Sequence, residues 1–570
     1  MKSRNFICKA LACICALTVV LASTGCKKAK PDGEQVLEIF LWDAGYGTQW
    51  LSDMSEAFKQ EDWVKEKYPE LEIVIDADSD SKKATTYIDA GEKGGNTVDL
   101  FFSSNLQRYT GVSYDGKEHF ADLTETVFNQ KVPGENKTVY EKMWGSALES
   151  IRHYEKGQDS NSSNVAFKSY IFPWVGGMNA ILYNAEHLET LGLDVPLTTN
   201  QLIEACKTAK NSSLPYNLTS QKGSYAILTD SSGNYWDTYY NVWWGQYEGV
   251  EKYYDFFNGF DGVGQSYHVY EQKGKLYSLQ TLEKLLKWGN GYVFQGHTGY
   301  DYMAAQTQFL SGDAVFYCVG DWYAKEMEDI AADMKKMGEH VYDIRLMKNP
   351  VVSEIIELTP SISSEEMLIA VIKAIDAGYS TQDMAKQASF YQESELGLSN
   401  AMQNACANIT DKDYERILKA RSIVSSSGTR DTGCVPSYAK GKDVAFDFLK
   451  FMATDKAQNI YTEATGGSNL PFDYDLKTKN PTLYNSLPQL SKDRADYFSN
   501  NTYEISLLPD YLAFPLVRYG GMNAVHSLGG VSVVNYFISK GAAADAYKLW
   551  NDDIEYYKSN FDTCLKDAGL

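Results

Sequence analysis

The chain has 570 residues, 44% hydrophobic and 22% charged, enough apolar material for a buried core, so wholesale disorder is excluded. Lys and Arg total 53 against 75 Asp and Glu, a formal net charge of -22. So acidic a chain lacks the cationic surface on which nonspecific nucleic-acid binding runs. The length exceeds one ordinary domain. Tyr outnumbers Phe, 41 to 24, beside 11 Trp. A ring with a polar tip suits surfaces and sites better than a dry core.

Lys2, Arg4 and Lys9 precede an apolar run over 10–22 (ALACICALTVVLA), shorter than the roughly 20 residues of a spanning helix. Small residues and Cys26 follow, and residues 1–25 read as a secretory signal. Gly25-Cys26 resembles the lipobox of bacterial lipoproteins, where the signal is cut before Cys and the thiol receives a diacylglycerol. Ser23 stands where that pattern prefers Leu. The alternative is cleavage near Ala22, with Cys26 an ordinary thiol. Removing residues 1–25 takes away three cations and no acid, so the charge of -22 becomes -25. Residues 26–35 read as a lipid-anchored tether whose Lys27, Lys28 and Lys30 face anionic headgroups. No later stretch has membrane-spanning length, so the mature chain is expected to be soluble apart from its lipid. Cys206, Cys318, Cys406, Cys434 and Cys564 are odd in number, widely spaced and without C-x-x-C. Buried free thiols are preferred to one or two bridges.

VLEIFLW (36–42) predicts a strand and 50–67 a helix, with Leu51, Met54, Phe58 and Val64 at helical spacing. LEIVID (71–76) and TVDLFF (97–102) predict further strands. This alternation is that of a parallel α/β unit, in which ligands gather at the carboxyl ends of strands. Those ends carry Trp42, Asp43, Tyr46, Asp80, Ser104 and Asn105. KSYIFPWVGGMNAILYN (168–184) predicts a strand, a Gly-Gly break and a second strand. Residues 235–260 are densely aromatic. AVFYCVG (314–320) predicts a strand with Asp321 and Trp322 just after it. Residues 351–430 alternate helical stretches with Ser-rich joints, 442–458 read as one amphipathic helix, and 466–471 as an unusual loop.

Four of these stretches, VLEIFLWDAGYG, PWVGGMNAILYN, MAAQTQFLSGDAVFYCVGDWYAKEM and GKDVAFDFLKFMATDKAQNIYTEATGGSNLP, together resemble the family 1 extracellular solute-binding proteins of bacterial ABC sugar importers. The resemblance covers nearly the whole mature chain. It implies a two-lobe α/β fold, each lobe a mostly parallel sheet flanked by helices, with carbohydrate bound in the cleft between lobes. It further implies closure on ligand, delivery to a membrane permease, a monomer, and no chemistry on the ligand. The expected division is lobe 1 over 36–172, lobe 2 over 173–316, a return to lobe 1 over 317–350, and a shared helical remainder over 351–570, mainly lobe 2. The lipidated chain is expected on the outer face of the cytoplasmic membrane.

A sugar offers C–H groups on its face and hydroxyls on its edge, so a site needs aromatic plates and planar polar groups. Trp42, Tyr46, Trp174 and Trp322 are the candidate plates. Asp43, Asp80, Ser104, Asn105, Asp321 and Asn469 are the candidate polar groups. Gly177 and Gly467 would let backbone approach the ligand. Trp236, Trp243 and Trp244 are candidates for further subsites along an oligosaccharide. Each has a rival reading as packing or helix capping. Asp76, Asp78 and Asp80 form D-x-D-x-D, but Ser81 and Tyr87 stand where a calcium loop needs Gly and Glu. No metal, cofactor or nucleic-acid partner is expected, and no zincin, P-loop or nucleophile-elbow motif occurs. A secreted glycoside hydrolase, working through two carboxylates, and a glycan- or peptide-binding adhesin are the alternatives.

Overall fold

The computed structural model describes residues 35–112, 116–160, 165–212, 225–231, 234–294, 299–386, 398–426, 431–499, 504–506 and 514–570. The expected signal segment and Cys26 lie outside them.

Eleven strands among these residues form two sheets. They are β1 (Val36–Trp42), β2 (Glu72–Asp78), β3 (Leu100–Ser104), β4 (Phe172–Pro173), β5 (Met178–Asn184), β6 (Tyr225–Leu228), β7 (Ala314–Gly320), β8 (Ile344–Leu346), β9 (Ile423–Ser426), β10 (Asp431–Cys434) and β11 (Glu504–Ser506). The first sheet has the order β2-β1-β3-β10-β4, and the second β11-β9-β5-β7-β6 with β8 beside β5. Strands β1, β2 and β3 are mutually parallel, with Phe40 opposite Asp76 and Phe101. β6 with β7 and β9 with β11 are also parallel. β10 runs antiparallel to β3 and β4, and β5 antiparallel to β7, β8 and β9. The antiparallel pairs all involve chain that arrives from, or has just left, the other sheet, and so enters from the opposite end.

The helices that matter most here are α1 (Gln49–Gln60), α2 (Asp62–Lys67), α3 (Gly145–Ile151), α4 (Asp237–Glu248), α5 (Val250–Phe257), α6 (Lys273–Leu286), α7 (Tyr323–Glu326), α8 (Asp411–Ser422), α9 (Lys442–Met452), α10 (Asp455–Ala464), α11 (Gln489–Ser499) and α12 (Ala546–Ala568). The helix expected over 50–67 breaks at Glu61, whose backbone is extended. The one expected over 442–458 breaks before Thr454, whose side chain accepts the Ala457 N–H and caps the next helix. Within 351–430, α8 runs directly into the strand β9. The expected lobe division also shifts. β7 ends at Gly320 and β8 follows at 344–346, both in the second sheet, whereas β10 joins the first. A strand takes its sheet from its pairing partner, which chain order does not reveal.

The first core lies on β1 and β3. Phe58 meets Phe448 edge-on at 5.2 Å and Trp50 meets Tyr461 at 5.2 Å, fastening α1 to α9 and α10. β1 is covered on both faces and reads as a near-continuous apolar run. β2, at the sheet edge, alternates half-buried and exposed positions. The second core is built around α4. The Trp243 indole N–H donates to Pro350 O at 3.1 Å, and that of Trp244 to Gln272 Oε1 at 2.6 Å. Tyr239 Oη accepts the Ile181 N–H at 2.8 Å, and Tyr270 Oη donates to Asn523 O at 2.6 Å. Trp236, Trp243 and Trp244 are each no more than 1% exposed. The expectation of sugar subsites on them therefore gives way to packing. Cys206, Cys318, Cys406, Cys434 and Cys564 are buried free thiols.

Candidate functional site

The loop after β1 meets the segment after β7, where Tyr46 and Gly45 lie against Asp321, Trp322 and Glu326. At the end of β1, the Asp43 N–H donates to Asp78 O at 2.9 Å and the Trp42 indole N–H to Ser79 O at 3.1 Å. These bonds tie the β1 and β2 loops into one rim. Asp43 is exposed there, and partial desolvation raises its carboxyl above the usual range. Asp80 is exposed and accepts the Lys82 N–H at 3.0 Å, starting the following helix. Lys83 pairs with Asp76 at 3.2 Å and Asp78 at 3.0 Å. One ammonium thus serves two members of the D-x-D-x-D run, and no cluster fit to hold a metal ion occurs among the described residues.

At the end of β3, Ser104 is buried and Asn105 follows with φ 60°. Asn105 is the one non-glycine residue in the left-handed region among those described, a conformation Asn tolerates better than most. Its amide donates to Ser104 Oγ at 3.1 Å.

On the facing side, Trp322 sits between Tyr46, at 5.8 Å edge-on, and Tyr235, at 5.6 Å. Two glycines make room for it. A Cβ on Gly320 would lie 2.0 Å from the indole, and one on Gly45 2.8 Å from it. Glu326 follows one helical turn later. Its Oε1 would stand 2.7 Å from a Cβ on Gly45, and its Oε2 accepts Gln306 Nε2–H at 2.7 Å. Burial pushes the Glu326 carboxyl up to about 7.

The remaining expected residues converge lower down, at the crossover between β4 and β5. Trp174 stacks on Trp50 at 5.2 Å and is 1% exposed. Asp321 is buried and accepts from Tyr46 Oη at 3.1 Å and Ser468 Oγ at 3.0 Å. Its charge is met by Arg494 of α11. Arg494 also donates to Gly176 O at 2.8 Å, to Gly467 O at 3.3 Å and to Asn469 Oδ1. Gly177 is buried in the same crossover. Gly467 holds φ 122°, and a Cβ there would meet Ser491 at 2.4 Å. Trp174, Asp321, Gly467 and Asn469 therefore support the crossover. Asp321 and Asn469 bond protein groups there, Gly467 lends its carbonyl to Arg494, and Trp174 lays its face on Trp50.

Asp43, Asp80 and Asn105 are exposed at the strand ends and Trp42 is half-buried there, whereas Tyr46 and Trp322 are buried against one another, 2% and 8% exposed. Beyond the end of β3, Arg518 donates to Thr110 Oγ1 and O, both at 2.7 Å. His153 packs beside it. Burial and the Arg518 charge depress its imidazole to about 4, holding the ring neutral. Sequence reading missed Arg494, Glu326 and Arg518. Glu326 carried a signal, its i+4 spacing from Trp322. The other two sit in helical stretches without a motif.

Residues 44–349 match the family model described as bacterial extracellular solute-binding protein. Among solved structures, one from work on xylan utilization by the thermophilic bacterium Caldanaerobius polysaccharolyticus superposes with a TM-score of 0.52 at 14% identity, covering 91% of this chain and 99% of that one. The GacH receptor of Streptomyces glaucescens, studied with acarbose, gives 0.51 at 14%, covering 93% and 98%. An ABC substrate-binding protein of Listeria monocytogenes in complex with cycloalternan gives 0.51 at 11%, covering 92% and 99%. No curated protein matches. At these identities the structural likeness establishes the two-lobe fold.

Proposed function

This chain belongs to the bacterial extracellular solute-binding proteins, and on that footing we propose that it captures a carbohydrate, an oligosaccharide, and hands it to the permease of an ABC importer. The family places the chain outside the cytoplasm. A diacylglycerol on Cys26 is the proposed means of holding it at the membrane, consistent with the absence, among the described residues, of any helix long and apolar enough to cross one.

One observation carries the carbohydrate reading. Trp322 is seated on two glycines between Tyr46 and Tyr235, opposite a rim of strand-end Asp and Asn side chains. A flat aromatic face beside planar carboxylate and amide groups suits C–H faces and hydroxyl edges. Lobe closure is the proposed mechanism. Tyr46 with Asp321 joins the loop after β1 to the segment after β7, and a ligand that binds the joined form better shifts the population toward it. The permease then reads that form.

Titration calorimetry of the purified protein against linear and cyclic oligosaccharides, with peptides and polyamines as controls, tests this reading. Saturable binding of a glycan without shortening it is expected. Binding of peptides or polyamines with none of any glycan overturns the carbohydrate assignment, and a shortened glycan points to a hydrolase.

A further inference from the structure

Glu326 stands where the loop after β1 touches chain from the other sheet. It lies on α7, one turn past Trp322 and the end of β7, and its Oε1 would be 2.7 Å from a Cβ on Gly45. The same Cβ would be 2.8 Å from the Trp322 indole. Bare Gly45 backbone is thus closed over a carboxyl group and a ring that belong to the opposite sheet. This contact exists only while the two segments are together.

The surroundings of the carboxyl suit its neutral form. Its Oε2 accepts Gln306 Nε2–H at 2.7 Å, an uncharged donor. Gln306 is fully buried, and its own Oε1 has no partner among the described residues. Half a turn of that amide brings Oε1 to the place of Nε2, where it accepts the proton of a neutral Glu326. Asp43 and Tyr46 on the β1 loop, Asp301 and Tyr302 at the start of the helix Tyr302–Leu310, Asp321 past β7 and Tyr323 on α7 are the titratable groups around it, all acids or phenols. Burial, and after it the charges of Glu326, Asp301 and Asp43, raises the Tyr302 phenol, so these carboxylates share one neighbourhood. The nearest cations in chain and space are engaged elsewhere, Lys325 with Glu328 at 2.9 Å and Arg494 with Asp321. With the segments together, ionisation leaves a charge against backbone with one amide to support it. With them apart, water takes that task.

We propose that Glu326 and the Gly45 turn form a proton-controlled clasp, closed while the carboxyl holds its proton and released as it ionises. The clasp rests on the closure reading given above, and no ligand is needed for it to act. Closing takes one proton from solvent and opening returns it. Burial holds the closed carboxyl at about 7 against an ordinary 4.5. The closed-to-open ratio therefore falls about tenfold per pH unit between those values, roughly 300-fold in all, and no further above about 7.

The test is small-angle X-ray scattering of the ligand-free full chain at about pH 5 and about pH 8, the second beyond the titration. The wild-type radius of gyration is expected to be larger at the higher pH. Glu326→Gln, neutral at both, should stay compact at both. Gly45→Ala places a Cβ where the carboxyl and the indole already stand, so it should be expanded at both. This second variant keeps the test decisive should the first fail to fold. A wild-type radius that ignores pH overturns the proposal. So does a pH response that survives in Glu326→Gln, or a Gly45→Ala chain as compact as wild type at the lower pH. Glycan calorimetry is independent of these outcomes, so failure of the clasp and failure of the carbohydrate reading are told apart.

Discussion

Lys275 with Asp553 and Arg494 with Asp321 are both ion pairs shut away from water, but they stand in different surroundings. Lys275 joins α6 to α12 inside the second core, its ammonium 4.5 Å from the Tyr270 ring centre. Asp553 is completed by the Ser527 N–H at 2.8 Å and Oγ–H at 2.6 Å. Burial lowers the Lys275 ammonium even beside its carboxylate. Arg494 and Asp321, the latter just past the end of β7, instead draw partners from three separate places, the β1 loop, the crossover and the loop before 470. Most of these are glycine-rich turns. The first pair welds two helices that need never part. The second gathers three loops and the end of β7, segments that the proposed closure would bring together.

That contrast is open to measurement. The largest effect is expected from Lys275→Met, which strands Asp553 and should remove about 3–5 kcal/mol of stability. Denaturant unfolding reads the loss, while glycan affinity of the remaining folded protein stays unchanged. Arg494→Met should lose a comparable amount and also shift glycan affinity. If the two variants behaved alike in binding, the distinction between them would fall.

Next is Glu326→Gln. The folded carboxyl titrates at about 7 against an ordinary value of 4.5, so the folded chain holds a proton that the unfolded chain releases between those limits. Wild-type stability therefore falls as pH rises from 4.5 to 7, by up to about 3 kcal/mol. Melting curves should show Glu326→Gln matching wild type at pH 5 and exceeding it at pH 8, both chosen on either side of about 7. Equal melting temperatures at both pH values would show that the carboxyl is not desolvated.

Trp322→Ala should weaken glycan binding by about 1–3 kcal/mol, by analogy with aromatic stacking on bases. Unchanged affinity in the folded variant removes it from the site. Tyr46→Phe, smallest of the five, deletes one hydrogen bond to Asp321 and should weaken glycan binding by about 1 kcal/mol, read by calorimetry. A change confined to stability would make that bond a prop rather than part of closure.

The strand ends were legible because β1, β3 and β7 announce themselves as apolar runs cut off by Asp, Asn or Gly, and a ligand-facing loop follows such an end. Trp322 stood out for the same reason. Trp243 and Trp244 were ambiguous, since a row of rings has the same composition whether it faces a core or a cleft, and only their N–H partners, Pro350 and Gln272, decide it. Asp321 misled because a carboxylate at a strand end does not reveal the cation that neutralises it. Arg494 lies 173 positions further along, on α11, as the numbering shows. Pairing at that distance leaves no local trace.

The five buried thiols turn the chain into its own unfolding counter. Cys206, Cys318, Cys406, Cys434 and Cys564 span both sheets' surroundings and the terminal helix. Burial pushes the Cys318 and Cys434 thiols far from ionisation, and only the thiolate reacts with an alkylating reagent. A brief pulse of such a reagent therefore marks molecules that have opened, and peptide mapping of the mark tells which part opened first.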